Sequence, residues 1–373
     1  MRATLMTTKK TKSNVKPPTP EGASPDTKPS EGAKKPVVKR LAYLFVIVSL
    51  CVYWFFLMLP QCTPSRYYDS NSSTFYTFAL RSHHPFSNPG AAEQFPIWQT
   101  RVASEVVASW FINVGMDQVL QHPDGGFKTW GTQQFNYVAI SFALYQTFWL
   151  FLTFLVLMLY RKDALLIIAG TFAGLMYNLT IPSGAWFYPW DMPSFFFFTC
   201  AVLAYDSRRL APLVAVVLMA SVFKETGLCT ALLILFGAHW EIRKRVALFA
   251  AIVVVSFAIR KALLWGYAVH TAFLPFNEAT GTIDFILKAI ENVRVNVIEL
   301  FQFHLNSAFF ANCGLLPMMF VFSWKTPRDR LFKLVAAVFV AGQFCFGLVH
   351  EFREWYELLP LGWIIFSERF EQK

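Results

Sequence analysis

Charged residues are scarce in this chain: they make up 15% of 373 residues, against roughly a quarter in an ordinary soluble domain. The sequence also has no Gly-rich phosphate loop, no G-x-S-x-G, no C-x-x-C and no nucleic-acid module, which argues against soluble nucleotide chemistry. Of only six cysteines, Cys51, Cys200, Cys229 and Cys345 lie in apolar runs, Cys313 is near one and Cys62 enters a polar loop. No disulfide framework follows from that pattern. The net charge of +10 does not point to nucleic acid, because Lys and Arg gather in the N-terminal tail and in short links between apolar blocks.

What is present is apolar: 55% of the residues are hydrophobic, and they fall into blocks of helix-compatible length. These lie at 41–59, 136–160, 164–180, 192–206, 209–223, 226–240, 246–268, 308–324, 331–349 and 358–367. They predict an all-α, polytopic integral membrane bundle of about ten transmembrane helices, within a range of roughly 9–11. Several, including 192–206 and 358–367, are shorter than the ~20 residues that cross a ~30 Å hydrocarbon core, and suit tilted or half-helices. Residues 1–40, rich in Lys, Pro, Ser, Thr and Gly without an apolar face, are expected to form a disordered basic cytoplasmic tail. The membrane domain is then 41–367, beginning with a retained signal anchor, and 368–373 is a cytoplasmic tail.

Basic residues mark the cytoplasmic side of short loops. With Lys34, Lys35, Lys39 and Arg40 inside, alternate links carry Arg161-Lys162, Arg208-Arg209, Arg243-Lys244-Arg245, Lys325 to Arg330, and Arg369 with Lys373. The opposite links, 60–135, 178–191, 269–307 and 350–357, are acidic, aromatic and His-bearing. Within the large outer loop 60–135, Trp98 to Leu120 reads as an amphipathic helix at the interface, as does Ile283 to Phe303 in the second outer loop.

Four polar constellations fall on the outer side. Asp69 suits a solvated loop carboxylate, a general base, or a ligand for a phosphate-neutralising cation. Asp191, in Trp186-Phe187-Tyr188-Pro189-Trp190-Asp191, suits a helix cap or a cavity-facing acid. Lys224-Glu225-Thr226 interrupts two apolar stretches, either as the polar turn of a helical hairpin or as an ammonium for a phosphate or lipid head group. His350, Glu351, Arg353 and Glu354 crowd one short turn, as an ion-pair cluster or as a phosphate-recognising Arg with acid–base neighbours.

This layout resembles the GT-C superfamily of polyprenyl-phosphate-dependent, multi-spanning glycosyltransferases. The likeness rests on the early outer acid Asp69, on Arg101-Val102 in the amphipathic stretch, on Lys224-Glu225-Thr226, and on Arg353 with Glu357 and Pro360. It implies sugar transfer from a polyprenyl-phosphate donor to an acceptor on the non-cytoplasmic face. Asp69 would be the catalytic base, and Arg101, Lys224 and Arg353 would bind the phosphate. Asp191, Glu225, His350, Glu351 and Glu354 would position the acceptor or a divalent cation. The resemblance favours a bacterial inner membrane, with endoplasmic reticulum as the alternative suggested by Asn71-Ser72-Ser73 and Asn178-Leu179-Thr180. The alternative functions are a transporter or channel component, with Arg260-Lys261 lining a pathway, and a non-enzymatic assembly subunit.

Overall fold

The computed structural model describes residues 34–61, 103–104, 107–108, 132–180, 190–266, 282–301, 326–346 and 356–371. All regular structure among them is helical. In chain order the helices are α1 (Lys34–Gln61), α2 (Thr132–Tyr160), α3 (Ala164–Thr180), α4 (Asp191–Asp206) and α5 (Leu210–Phe223). A 3-10 segment (Glu225–Ala231) follows, then α6 (Leu232–Leu235), α7 (Ile242–Gly266), α8 (Thr282–Phe301), α9 (Pro327–Phe346) and α10 (Leu359–Glu371). Met1–Ala42 and Tyr43–Lys373 are separate compact units, and every contact described below lies in the second.

Among the described residues, two helices are long and apolar enough to cross a bilayer, over Arg40–Pro60 and Ala139–Tyr160. The apolar stretches predicted at 164–180, 192–206 and 209–223 are helices too, but α4 and α5, at 16 and 14 residues, are only about 24 and 21 Å long. Several boundaries differ from expectation. Residues 34–40 belong to α1 instead of the tail, since Pro36 sits in the first turn, where its missing N–H costs nothing. Helix α2 begins at Thr132, inside the expected first outer loop. The stretch 226–240 is not one helix: its tight 3-10 turns pass into four residues of α-helix and end at Leu235. Of the predicted amphipathic stretch 98–120, residues 103–104 and 107–108 are described and helical, and α8 realises the second one. The segment 308–324 lies outside the described residues.

Local chemistry sets the ends. Thr326 and Asp329 form a reciprocal cap on α9: the Asp329 N–H donates to Thr326 Oγ1 (3.1 Å) and the Thr326 N–H to Asp329 Oδ2 (3.3 Å). Pro327 between them occupies the first helical position, pre-set in φ. The C-terminal carbonyls of α9 are met from α8, whose Asn292 and Asn296 side chains donate to Cys345 and Phe344 (3.2 and 2.9 Å). Helix α4 ends in two reversed bonds, Arg208 N–H to Tyr205 O and Arg209 N–H to Ala204 O. Arg208 takes φ 56° there, a left-handed position usually given to glycine.

Packing joins these elements through aromatic rings and close helix contacts. Trp149 of α2 lies 5.3 Å from Phe196 and 5.5 Å from Phe197 of α4, and 5.9 Å from Phe223 of α5, centroid to centroid. Helices α3 and α10 approach through Gly170-x-x-x-Gly174. A Cβ on Gly170 would stand 2.1 Å from the Trp363 ring, and one on Gly174 would stand 3.1 Å from Leu359. Large apolar side chains also face outward: Leu41, Phe45 and Phe56 of α1 and Val254 of α7 are each more than 60% exposed.

Candidate functional site

Lys224 is the one extended residue between α5 and the 3-10 segment, with φ −152° and ψ 143°. Its backbone remains tied in, donating to Ala220 O and accepting from Gly227 N–H, both at 3.0 Å. Gly227 lets this turn fold back on α5, since a Cβ there would lie 2.3 Å from the Ala220 carbonyl. The reversal turns the Lys224 side chain inward, leaving it 1% exposed.

Its ammonium meets two acids brought by different elements. Lys224 Nζ donates to Glu357 Oε1 at 2.8 Å and lies 3.7 Å from Asp191 Oδ1. Thr226 Oγ1 reaches the same carboxylate, at 3.0 Å from Oε1 and 2.9 Å from Oε2. Asp191 is the first residue of α4, and Glu357 sits in a 3-10 turn over 356–358, just ahead of α10. Both carboxylates are as buried as the ammonium. Two buried acids against one base leave a formal deficit of one positive charge. Burial therefore pushes the Glu357 carboxyl above its ordinary range, opposing the pull of Lys224 and Thr226, and Asp191 adds to the rise.

The helical fragment at residues 103–104 reaches the same place. Ser104 Oγ donates to the carbonyl of Phe223, the residue before Lys224 (3.4 Å), and Tyr145 OH donates to Ser104 O (3.3 Å). A bundle end containing Lys224, Thr226, Asp191, Glu357 and Ser104 thus draws on four separate stretches of chain.

A second charged cluster occupies the far end of α4. Arg161 holds Asp163 through Nε and Nη2, both at 2.8 Å, and Glu368 through Nη1 at 3.0 Å. Arg328 bonds Asp206 and Glu368, and its guanidinium stands 4.8 Å over the Phe332 ring. The α2–α3 link, the end of α4, the start of α9 and the end of α10 therefore meet. Asp206 lies 15 residues after Asp191, about 22 Å along the helix.

Of the residues singled out from sequence, Asp191 and Lys224 are brought together. Asp191 does not serve as the helix cap: Trp190 holds that position, and no side chain bonds there. Asp69, Arg101, His350, Glu351, Arg353 and Glu354 lie outside the described residues, as does the side chain of Glu225, which opens the 3-10 segment. No group of three or more His, Cys, Asp or Glu able to hold a metal occurs among the described residues. The partners of Lys224 were not legible as partners, because 133 residues separate it from Glu357. The one available signal was the rule that a buried ammonium needs a counter-charge. In the sequence the Arg161–Arg328 cluster shows only as basic links, and nothing local ties them to the acids Asp163, Asp206 and Glu368.

Comparison with known proteins finds no matching family model, no matching curated sequence and no matching solved structure.

Proposed function

We propose that this chain is a multi-spanning membrane glycosyltransferase that moves a sugar from a polyprenyl-phosphate donor to an acceptor at the bundle end where Lys224 lies. The observation that carries this reading is the joining of Lys224 and Thr226 to Glu357. These residues belong to two of the four features, distant in sequence, on which the likeness to the GT-C superfamily rests. Arg353 precedes Glu357 by four residues and Arg101 precedes Ser104 by three. Even an extended chain then tethers both arginines within about 10–14 Å of those neighbours, Cα to Cα.

A bilayer setting is supported by outward apolar faces on α1, α2 and α7, since large exposed apolar patches are rare on soluble monomers. It is supported further by the meeting of three basic links, at Arg161, Arg208-Arg209 and Arg328-Arg330, at the end of α4 away from Lys224. By the charge rule that end is cytoplasmic, and the Lys224 end faces the other compartment. Nucleotide sugars are scarce there, so a lipid-linked donor fits the chemistry.

In this mechanism Asp69 accepts the proton of the acceptor hydroxyl as its oxygen attacks the sugar C1. The C1–O bond to phosphate breaks, and polyprenyl phosphate leaves with that electron pair. Arg101 and Arg353 offset the charge gained by the departing phosphate. Lys224, engaged by Glu357 and Asp191, holds the site together instead of cradling phosphate. A transport pathway has less support: the ion pairs made by α4 and α10 sit at the ends of those helices, away from mid-height.

Purified protein in proteoliposomes, given polyprenyl-phosphate-mannose or -glucose with a radiolabelled sugar and membrane glycans as acceptors, is expected to move label out of the donor lipid. Asp69→Asn is expected to insert normally and to abolish transfer. Wild-type protein that leaves both donors intact overturns the proposal.

A further inference from the structure

Two stretches at the end of α4 away from Lys224 carry bases that no acid answers. One is the α4–α5 turn, with Arg208 and Arg209; the other runs from the end of α6 into α7, with Arg243, Lys244 and Arg245. At the same end Arg161 and Arg328 are paired with Asp163, Asp206 and Glu368. The five other bases make no ion pair among the described residues, and Glu241 is the single acid within 207–209 and 236–245. Arg208, Arg209, Arg243 and Lys244 are exposed. Arg245 instead donates through Nη1 to Gly237 O at 2.8 Å, tying the start of α7 back to the turn before it.

The two stretches form one surface. The Tyr205 ring, in the last turn of α4, lies 4.9 Å from His239 and 6.1 Å from Trp240, centroid to centroid. A Cβ on Gly237 would stand 2.7 Å from the same ring. Partial burial and then the positive charge of Arg208 lower the His239 pKa, so that guanidinium stands near the imidazole. Apolar side chains border the bases: Phe236, Ile242 and Val246 are 50%, 58% and 49% exposed. Ile242 and Val246 share a helix face, one turn apart, and Arg243 and Arg245 fall on its two flanks.

We infer that this surface docks the phosphate headgroups of anionic phospholipids in the leaflet on its side, with Arg208, Arg209, Arg243 and Lys244 meeting the phosphates and Phe236, Ile242 and Val246 lying against the acyl chains. A soluble anion or a nucleic acid would engage the bases but leave the apolar groups in water, whereas an amphiphile covers both. Trp240, beside them, suits the same headgroup level. The inference goes beyond the transfer reaction and does not depend on it.

The test titrates the purified full chain in detergent with dioleoylphosphatidylglycerol or dioleoylphosphatidylcholine and counts bound lipid by native mass spectrometry. Wild type is expected to bind the anionic lipid at least about tenfold more tightly than the zwitterionic one. Arg208→Gln/Arg243→Gln is expected to weaken phosphatidylglycerol binding about thirtyfold, each base at an anionic surface contributing about fivefold, and to leave phosphatidylcholine binding unchanged. Lys162→Gln/Arg294→Gln removes the same charge from exposed positions on other elements and is expected to stay within about threefold of wild type. Equal affinity of wild type for the two lipids would overturn the inference. So would equal losses in the two double variants, which would make net charge the determinant, or loss of both lipids together in the first variant. Inorganic phosphate or a single-stranded oligonucleotide that displaces the lipid at equal concentration would make a soluble anion the occupant, and would overturn it as well.

Discussion

Asp163 shows how one side chain in a turn can carry measurable stability. Burial raises its pKa, but the paired bonds from Arg161 and a bond from Ser367 outweigh that and hold it below the ordinary 3.8. A carboxylate depressed in the folded state contributes stability above its unfolded pKa and loses it as pH falls through the folded value. Asp163→Asn is therefore expected to destabilise the protein by about 1–3 kcal/mol at pH 7, as for a lost charged hydrogen bond. The difference from wild type should close as the pH drops below 3.8. Thermal unfolding in detergent across pH 3–7 checks this, and a gap that persists at the acid end would contradict it. The Lys224 cluster is a different kind of residue-level feature. A buried ion pair adds little net stability, but removing one partner typically costs about 3–5 kcal/mol, so its value lies in specifying which turns meet.

Among the elements, α10 is the clearest case of packing overriding length. At 13 residues it is too short to span a bilayer by itself, yet it is enclosed by neighbours and crossed closely by α3. The glycines involved separate packing from propensity. Gly170→Ala drives a Cβ into the Trp363 ring and is expected to cost about 1–3 kcal/mol, as overpacking does. Gly342→Ala, in α9 with nothing within 4 Å of the new Cβ, is expected to stabilise by about 0.5–1 kcal/mol through backbone entropy. Melting temperatures of the two variants, measured side by side, decide it; a shift of the same sign in both would show that the α3–α10 contact is not as close as described. The Gly170-x-x-x-Gly174 spacing alone does not name the helix it meets, because that face could have met any apolar helix.

At the scale of the whole molecule, the charge-rule topology makes a sharp claim. Ser207, beside Arg208 at the end of α4, and Tyr177, in the last turns of α3, are both exposed and belong to opposite ends of the bundle. In a cysteine-free background, Tyr177→Cys is expected to react with an impermeant maleimide in intact cells, and Ser207→Cys only after permeabilisation. Labelling of both from one side would remove the membrane-spanning arrangement.

The distribution of apolar blocks and basic links determined that the described chain is helical and roughly where each helix lies. Chain-local physics explains this: long apolar runs must bury their backbone bonds internally, and caps such as Thr326-Pro327-Arg328-Asp329 act within one turn. Only the tertiary structure decided that Lys224 pairs with Glu357 and Asp191, that Arg161 and Arg328 share Glu368, and that the stretch after Gly227 tightens into 3-10 turns. Charge pairing depends on distance in space, and nothing within a turn or two of Lys224 reveals which distant acid the fold will bring to it.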